Sequence, residues 1–363
     1  MAIVPKHIKD LAAYKAGAPA SEIRRQYNLE RIIKLNSNEN PYGPSPKAIA
    51  AATESLSETH RYPDPNGYEL RTKLGNKYGL KLNNTVLGSG SEGIMSIIMR
   101  TFLAPDDEII GAQNSFIGFK VLANASGRRI NWIPMKDYHY DLKAMADAIS
   151  EYTKIIYLAN PDNPTGSYFN RADFEAFVAR VPDRVLIILD EAYFEFAKDH
   201  PDYPDSMDYR FNNVITLRTF SKAHGLAGFR VGYGFAHDEL ISNLMKVRLP
   251  FEPARPSLAA AVAAMDDEDY LQNTLEGNRA ERAHLEREFK KRGMIVLPSA
   301  TNFLTLVFQD ADRASAFTGG LLQKGILVRL LISFGWPQGV RITVGRPEDN
   351  QILLTVAQDL LIH

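Results

Sequence analysis

Residues 219–230 read TFSKAHGLAGFR. Within this stretch stand the amine of Lys222, the hydroxyl of Ser221, two glycines and the guanidinium of Arg230. An amine is a nucleophile toward a carbonyl, and a guanidinium is a planar fork of donors suited to a phosphate. Glycines let backbone approach a ligand closely. Other short apolar runs also end in groups that can do chemistry. VLIILD ends in Asp190 and continues into Glu191, Ala192 and Tyr193. IIYLANPDNPTG runs into Asn160, Asn163 and a proline-marked turn, TVLGSGSEG into a glycine turn carrying Ser91 and Glu92, and IIGAQNSF into Phe116. A carboxylate, an amide, an amine with a hydroxyl, backbone N–H groups and an aromatic ring together describe one ligand. It is planar, with a basic nitrogen, an oxygen that receives hydrogen bonds, a phosphate and an electrophilic carbon.

Those residues need elements to position them. Runs such as EIIGA, KIIYLA, VLIILD and NVITLRTF alternate with helical patterns such as SEGIMSIIMRTFL and RADFEAFVARV. Continuous apolar strands alternating with helices predict a parallel sheet covered on both faces, with ligands beyond the carboxyl ends of its strands. The pattern holds over about residues 36–245. Two long helices follow, from SLAAAVAAM and from TLEGNRAERAHLEREFKKRG, whose charges read as a solvated face with Glu288 and Arg292 at a helix-supporting spacing. Three strand signals, GMIVLPSATNFLTLVF, GILVRLL and GVRITVG, then predict a smaller α+β domain over 246–363. Residues 1–35 read as an N-terminal arm packing with that smaller domain, leading into the polar loop IIKLNSNENPYGPSP.

Composition narrows the partners. The chain has 363 residues, is 45% hydrophobic and carries a formal net charge of −1, which gives no reason to expect nucleic acid or a membrane surface. No apolar run is long enough to span a bilayer, and the first residues lack a signal-peptide layout, so a cytoplasmic location is expected. Cysteine is absent, which excludes disulfides and thiolate metal sites, and no HExxH or clustered His/Asp set predicts a metal. GSGSEG at 88–93 fits the dinucleotide pattern, but GAQNSF, some twenty residues on, contains no acid for a ribose. Those glycines suit a helix N-terminus holding a phosphate. LIILDE looks like a magnesium-binding strand of a nucleotide hydrolase, yet the chain has no GxxxxGK[ST] loop.

The ordered set LAAYKAG, LNSNENPYGPSP, HRYPDPNG, GSGSEG, NPDNPTG, DEAYFEF, TFSKAHGLAGFR, GILVR and GVRITVG resembles the fold-type I pyridoxal-phosphate aminotransferases, and within them the histidinol-phosphate aminotransferase group. The resemblance spans nearly the whole chain and implies a mostly parallel central sheet flanked by helices plus the smaller α+β domain. It implies pyridoxal 5'-phosphate as cofactor, with Lys222 as the Schiff-base lysine and proton shuttle. Asp190 would pair with the pyridinium nitrogen, Asn163 and Tyr193 with the ring oxygen, and Phe116 would stack on the ring. Many relatives carry tyrosine at that last position. Ser91, Glu92, Ser221 and Arg230 would hold the phosphate. For Ser91 and Glu92 the backbone N–H is the expected contact, since relatives often have an Asp–Glu pair where this chain has Glu92–Gly93.

Tyr62 would reach the phosphate of a neighbouring subunit, which implies a homodimer with shared sites. Arg341 and Arg329 match the substrate-anion arginines, Tyr14 an arm tyrosine over the substrate, and Asn38 the loop lining the pocket. His224 reads as a packed histidine, since Lys222 already supplies the base, and Arg346 as the residue before the proline that opens the last helix. The expected partners are a small amino donor, histidinol phosphate or an aromatic L-amino acid, and a 2-oxo acid. A phosphoamino-acid decarboxylase on the same scaffold is the alternative activity. A cofactor-sensing regulator would need a DNA-binding module, for which the chain has no basic segment.

Overall fold

The β-branched runs form strands where hydrophobic continuity predicts them. The computed structural model describes residues 3–11 and 20–361. In chain order the strands are β1 (Ile33–Lys34), β2 (Thr85–Gly88), β3 (Glu108–Ala112), β4 (Arg129–Ile133), β5 (Thr153–Ala159), β6 (Leu186–Asp190), β7 (Val214–Thr219) and β8 (Gly232–Phe235). They continue with β9 (Ile295–Val296), β10 (Phe303–Val307), β11 (Ile326–Leu327), β12 (Arg329–Leu330) and β13 (Gly339–Thr343). Seven strands build one sheet in the order β2-β8-β7-β6-β5-β3-β4. Strands β5, β6 and β7 are almost wholly buried, as continuous apolar runs covered on both faces must be. One face packs against the helices Gly90–Phe102 and Asp238–Val247, the other against Leu142–Asp147 and Arg171–Val178.

The sheet is parallel except at β8, which runs antiparallel to both β7 and β2. The sheet is thus mostly parallel, as expected, and its one antiparallel strand has a physical reason. Only residues 220–231 join β7 to β8, and they hold one short 3₁₀ turn and no crossover helix. A parallel neighbour needs a crossover, usually helical; a tight return gives an antiparallel one. The register puts Ala159 of β5 opposite Asp190 of β6, and Asp190 opposite Leu217 of β7. The carboxyl ends of the three central strands therefore open onto one edge.

The second sheet, β12-β13-β10-β9, is antiparallel and packs on the helices Glu268–Lys291, Ala311–Gln323 and Pro347–Leu361 through a separate apolar core. The helix read from Thr274 begins earlier, at Glu268. Glu268 and Asp269 occupy its first turn, where acidic side chains favour a helix N-terminus. Its charged face carries the expected pair, with Arg292 Nη1 2.9 Å from Glu288 Oε2. Short strand β1 pairs in parallel with β11, tying residues 33–34 to the second sheet's layer. The helix Lys6–Lys9 lies instead by the large sheet, where a Cβ on Gly127 would meet the His7 ring at 2.8 Å. Among the described residues no helix is long and apolar enough to cross a membrane.

Candidate active site

At the carboxyl edge of the large sheet, a cavity of about 180 Å³ gathers Ser91, Glu92, Phe116, Asn163, Asp190, Tyr193, Ser221, Lys222 and Arg230. All nine are residues the sequence had singled out, and four of the loops at this edge supply most of them. A larger cavity of about 290 Å³, lined by Met207, Phe211 and His237, includes Val214 at the opposite end of β7 and holds none of these groups.

Lys222 lies three residues beyond the end of β7, and its Nζ lies 5.6 Å from the centre of the Tyr193 ring. Burial lowers its pKa to about 8, helped by the nearby cations Arg341 and Arg230 and opposed by Glu39 and Asp190. An amine so tuned is available as a free base near neutral pH. Asp190 ends β6 almost fully buried. Its Oδ2 accepts from the Tyr157 hydroxyl at 2.8 Å, while Oδ1 is buried without a hydrogen-bond partner. Burial pushes the carboxyl up to about 6, against the Tyr157 hydrogen bond, the Ala192 N–H and the charge of Lys222.

Across the cavity, Arg230 adopts a left-handed backbone with φ 55°, and its Nη1 donates to Ser221 Oγ at 3.3 Å. Gly90, with φ 74°, lies so close that a Cβ there would meet Arg230 Nη2 at 2.7 Å. A Cβ on Gly232 would meet Ser91 N at 2.4 Å. The two glycines thus allow the helix N-terminus at Gly90–Ser91, the Ser221 hydroxyl and the Arg230 guanidinium to converge. Backbone N–H groups, a hydroxyl and a guanidinium make an anion cradle. Phe116 caps the helix Ile117–Ser126, with its ring over Gly118.

The second sheet closes the site from the other side. Arg341 on β13 is buried; its Nη1 donates to Asn163 Oδ1 and its Nη2 to the Asn36 carbonyl at 2.9 Å. Asn38, also buried and with φ 56°, donates from Nδ2 to the Tyr193 hydroxyl at 2.8 Å. Thr343 Oγ1 donates back to Asn38 Oδ1 at 3.1 Å. Burial raises the Tyr193 phenol to about 12, so it stays protonated. Arg329 stands directly opposite Arg341 in the β12–β13 register and donates to Ser333 Oγ at 3.2 Å. Tyr62 does not line this cavity; it is 75% exposed and stacks on Phe251 with ring centres 4.3 Å apart. Tyr14 lies outside the described residues. His224 is buried against Phe220 and its pKa is lowered to about 4 by burial, so it is a neutral packed ring. Arg346 precedes the last helix and donates to the Pro41 carbonyl at 2.9 Å. Among the described residues no group of three or more His, Asp or Glu side chains could hold a metal ion.

Sequence reasoning missed Tyr157, whose only signal is a hydroxyl within the apolar run that closes β5, two positions before the strand end. It also missed Thr219, which lines the cavity and donates to Ser221 Oγ at 3.0 Å.

A strand-end lysine facing a buried carboxylate, beside a helix-terminus anion cradle, defines a site built for a phosphorylated carbonyl compound. The description "Aminotransferase class I and II" matches residues 30–356, and the chain belongs to that family. Among its curated relatives, histidinol-phosphate aminotransferase 2 of Ralstonia nicotianae is 41% identical over 362 residues, covering 98% of this chain and 96% of its own. Histidinol-phosphate aminotransferase 1 of Nitrosococcus oceani is 39% identical over 357 residues, covering 98% of this chain and 95% of its own. The crystal structure of a histidinol-phosphate aminotransferase from Sinorhizobium meliloti in complex with pyridoxal 5'-phosphate superposes with a TM-score of 0.92 at 28% identity, covering 100% of this chain and 98% of that one.

Proposed function

We propose that this aminotransferase uses pyridoxal 5'-phosphate to move an amino group from histidinol phosphate to 2-oxoglutarate. The observation that carries the reading is the buried, unpartnered Asp190 Oδ1 in the same cavity as Lys222 and the Gly90–Ser91–Ser221–Arg230 cradle. Each part of the cofactor finds a complementary group there. The cradle fits the phosphate, Asp190 the ring nitrogen, Asn163 and Tyr193 the ring oxygen, and Phe116 the ring face. When bound, the cofactor supplies a carbonyl carbon that takes up an amine and a ring that accepts an electron pair.

The chain's own residues do the rest. Lys222 would hold the cofactor through its amine between turnovers and, once a substrate amine takes its place, the freed amine would take the proton from the donor carbon and return it. Asp190 keeps the ring nitrogen protonated, since a buried carboxylate is stable only against a cation. Arg341 and Arg329 orient the substrate anion, and Asn38 holds Tyr193 in place. Both arginines accept either a carboxylate or a phosphate, which lets one pocket serve two unlike substrates in turn. Tyr14, outside the described residues, is assigned to the substrate by the family resemblance alone. Tyr62, exposed in one chain, completes the phosphate site of a second copy, so the enzyme works as a homodimer in the cytoplasm. The chain divides into an arm (1–35), a cofactor-binding domain (36–245) and a smaller domain (246–363).

The test is a half-reaction screen. The purified cofactor-bound protein is mixed with histidinol phosphate, phenylalanine or a phosphoamino acid, and its spectrum and products are followed. Histidinol phosphate should convert the cofactor to its aminated form stoichiometrically, and 2-oxoglutarate should restore it with release of glutamate. Release of carbon dioxide in place of amino transfer would overturn the reading, and conversion by phenylalanine alone would replace the donor.

A further inference from the structure

We propose that Tyr157 is a positioning residue: its hydroxyl fixes the Asp190 carboxylate so that Oδ1 is presented to the cofactor's ring nitrogen. The inference rests on the pyridoxal-phosphate reading and extends it to a residue inside the strand. Tyr157 sits in β5, 1% exposed. In the β5–β6 register Ala159 is opposite Asp190, and Tyr157 is two residues earlier on the same face. The small Ala159 side chain leaves room for the longer tyrosine to reach past it, and the hydroxyl meets Oδ2 at 2.8 Å. The ring is stacked on Phe119 with centres 3.9 Å apart and planes 9° from parallel, which holds the hydroxyl in place. With Oδ2 engaged, the carboxylate has one remaining oxygen, and that oxygen is the buried, unpartnered one. The other groups acting on Asp190 are the Ala192 N–H, Lys222 from the loop after β7 and Glu92 from the helix Gly90–Phe102; Tyr140 and Asp162 act on Tyr157. A carboxylate free to rotate in this cavity would turn toward Lys222 and leave the ring nitrogen without its counter-charge.

The experiment compares two cofactors on apoprotein: pyridoxal 5'-phosphate and its 1-deaza analogue, in which carbon replaces the ring nitrogen. Equilibrium dissociation constants are measured spectroscopically for wild type, Tyr157→Phe, Asp190→Asn and the double variant. Tyr157→Phe keeps the stacked ring and removes only the hydroxyl. It should weaken pyridoxal 5'-phosphate roughly tenfold, as expected for one hydrogen bond to a charged group, and leave the deaza analogue unchanged. In the Asp190→Asn background the same change should have no further effect. Equal losses for both cofactors, or a loss that persists without the carboxylate, would show that Tyr157 only packs. If Tyr157→Phe fails to fold, Phe119→Leu frees the ring while keeping the hydroxyl, and it should give the same nitrogen-selective loss at smaller size; its absence would overturn the proposal. Failure of wild type to bind pyridoxal 5'-phosphate on Lys222 would instead overturn the cofactor reading, so the two failures are separable.

Discussion

Arg341 reaches from β13 to the carboxamide oxygen of Asn163, and so joins the second sheet to the loop that leaves β5. The same guanidinium also holds the Asn36 carbonyl at 2.9 Å. One side chain therefore fixes the loop on the ring-oxygen side of the cavity and the polar loop carrying Asn38. Under the proposed function, substrate grip and cofactor placement would be coupled through it.

Arg341→Ala should accordingly depress kcat/KM for both amino donor and 2-oxo acid by at least roughly tenfold, since truncating a buried charged partner costs about 2–5 kcal/mol. It should also weaken cofactor affinity, because Asn163 loses its donor. Arg341→Lys should rescue little, as one ammonium cannot span both contacts. Steady-state kinetics and cofactor titration of the two variants check this. A wild-type kcat/KM in Arg341→Ala would remove the arginine from the site.

Lys222 should titrate near 8, where burial and the cations Arg341 and Arg230 place it. In apoprotein, capture of pyridoxal 5'-phosphate should rise with pH through that value, because only the uncharged amine attacks a carbonyl. The folded pKa lies below the ordinary 10.5, so the buried charge opposes folding below pH 8 and is relieved as pH rises from 8 toward 10.5. Lys222→Met should therefore stabilise the apoprotein at pH 7, by on the order of 3 kcal/mol at most. Urea denaturation at pH 7 and 9.5 measures it, and an equal gain at both pH values would contradict a charge origin. The same variant should carry no pyridoxyl group on borohydride treatment and peptide mass spectrometry.

Much of this arrangement was legible in the chain. Lys222, Asp190 and Asn163 each follow an apolar run, and a parallel sheet sends such strand ends to one edge. The pairings were not legible. Nothing in the spacing couples Asn38 to Tyr193 or Arg341 to Asn163, since each pair joins residues more than 150 positions apart. Tyr157 was hidden because aromatic residues are ordinary in buried strands. The direction of β8 depended on the length of the return from β7, which apolar patterning does not encode.

Directly behind Asp190, Glu191 forms a fully buried ion pair with Arg218, whose Nε is 2.8 Å from Glu191 Oε2. Ser206 Oγ donates to the same oxygen at 3.0 Å, and Arg218 lies 3.3 Å over the Phe194 ring. Arg218→Ala would strand a buried carboxylate and should destabilise the protein by about 3–5 kcal/mol. The double variant Glu191→Gln/Arg218→Met should recover most of that loss. Chemical denaturation of the three variants decides; an additive double variant would mean that the charges do not act as a pair.

Tyr62 offers a test of the proposed shared site. It projects into solvent, stacked on the exposed Phe251, and Leu249 two residues before that ring is exposed as well. Lys222→Ala and Tyr62→Phe homodimers should each be impaired. Mixed and reassembled, they should regain activity, because the Lys222 of one subunit then meets the Tyr62 of the other. A fully active monomer in sedimentation would sink the idea.

In the proposed function the substrate anion is read by Arg329 and Arg341. They are register partners on β12 and β13, so their side chains leave the same face of the sheet side by side. Side chains at directly opposed positions can reach one anion together. A phosphate dianion gains more from two guanidinium groups than a carboxylate monoanion does, because the attraction scales with the charge. Arg329→Ala should therefore cost histidinol phosphate roughly tenfold or more in kcat/KM, the equivalent of about 1.4 kcal/mol, while phenylalanine loses only about threefold. Raising ionic strength should shrink the difference if the phosphate stays partly hydrated. The measurement is kcat/KM for both donors, in wild type and variant, at two salt concentrations. Equal losses for the two donors would show that Arg329 does not read the phosphate, and the histidinol-phosphate assignment would then rest on its relatives alone.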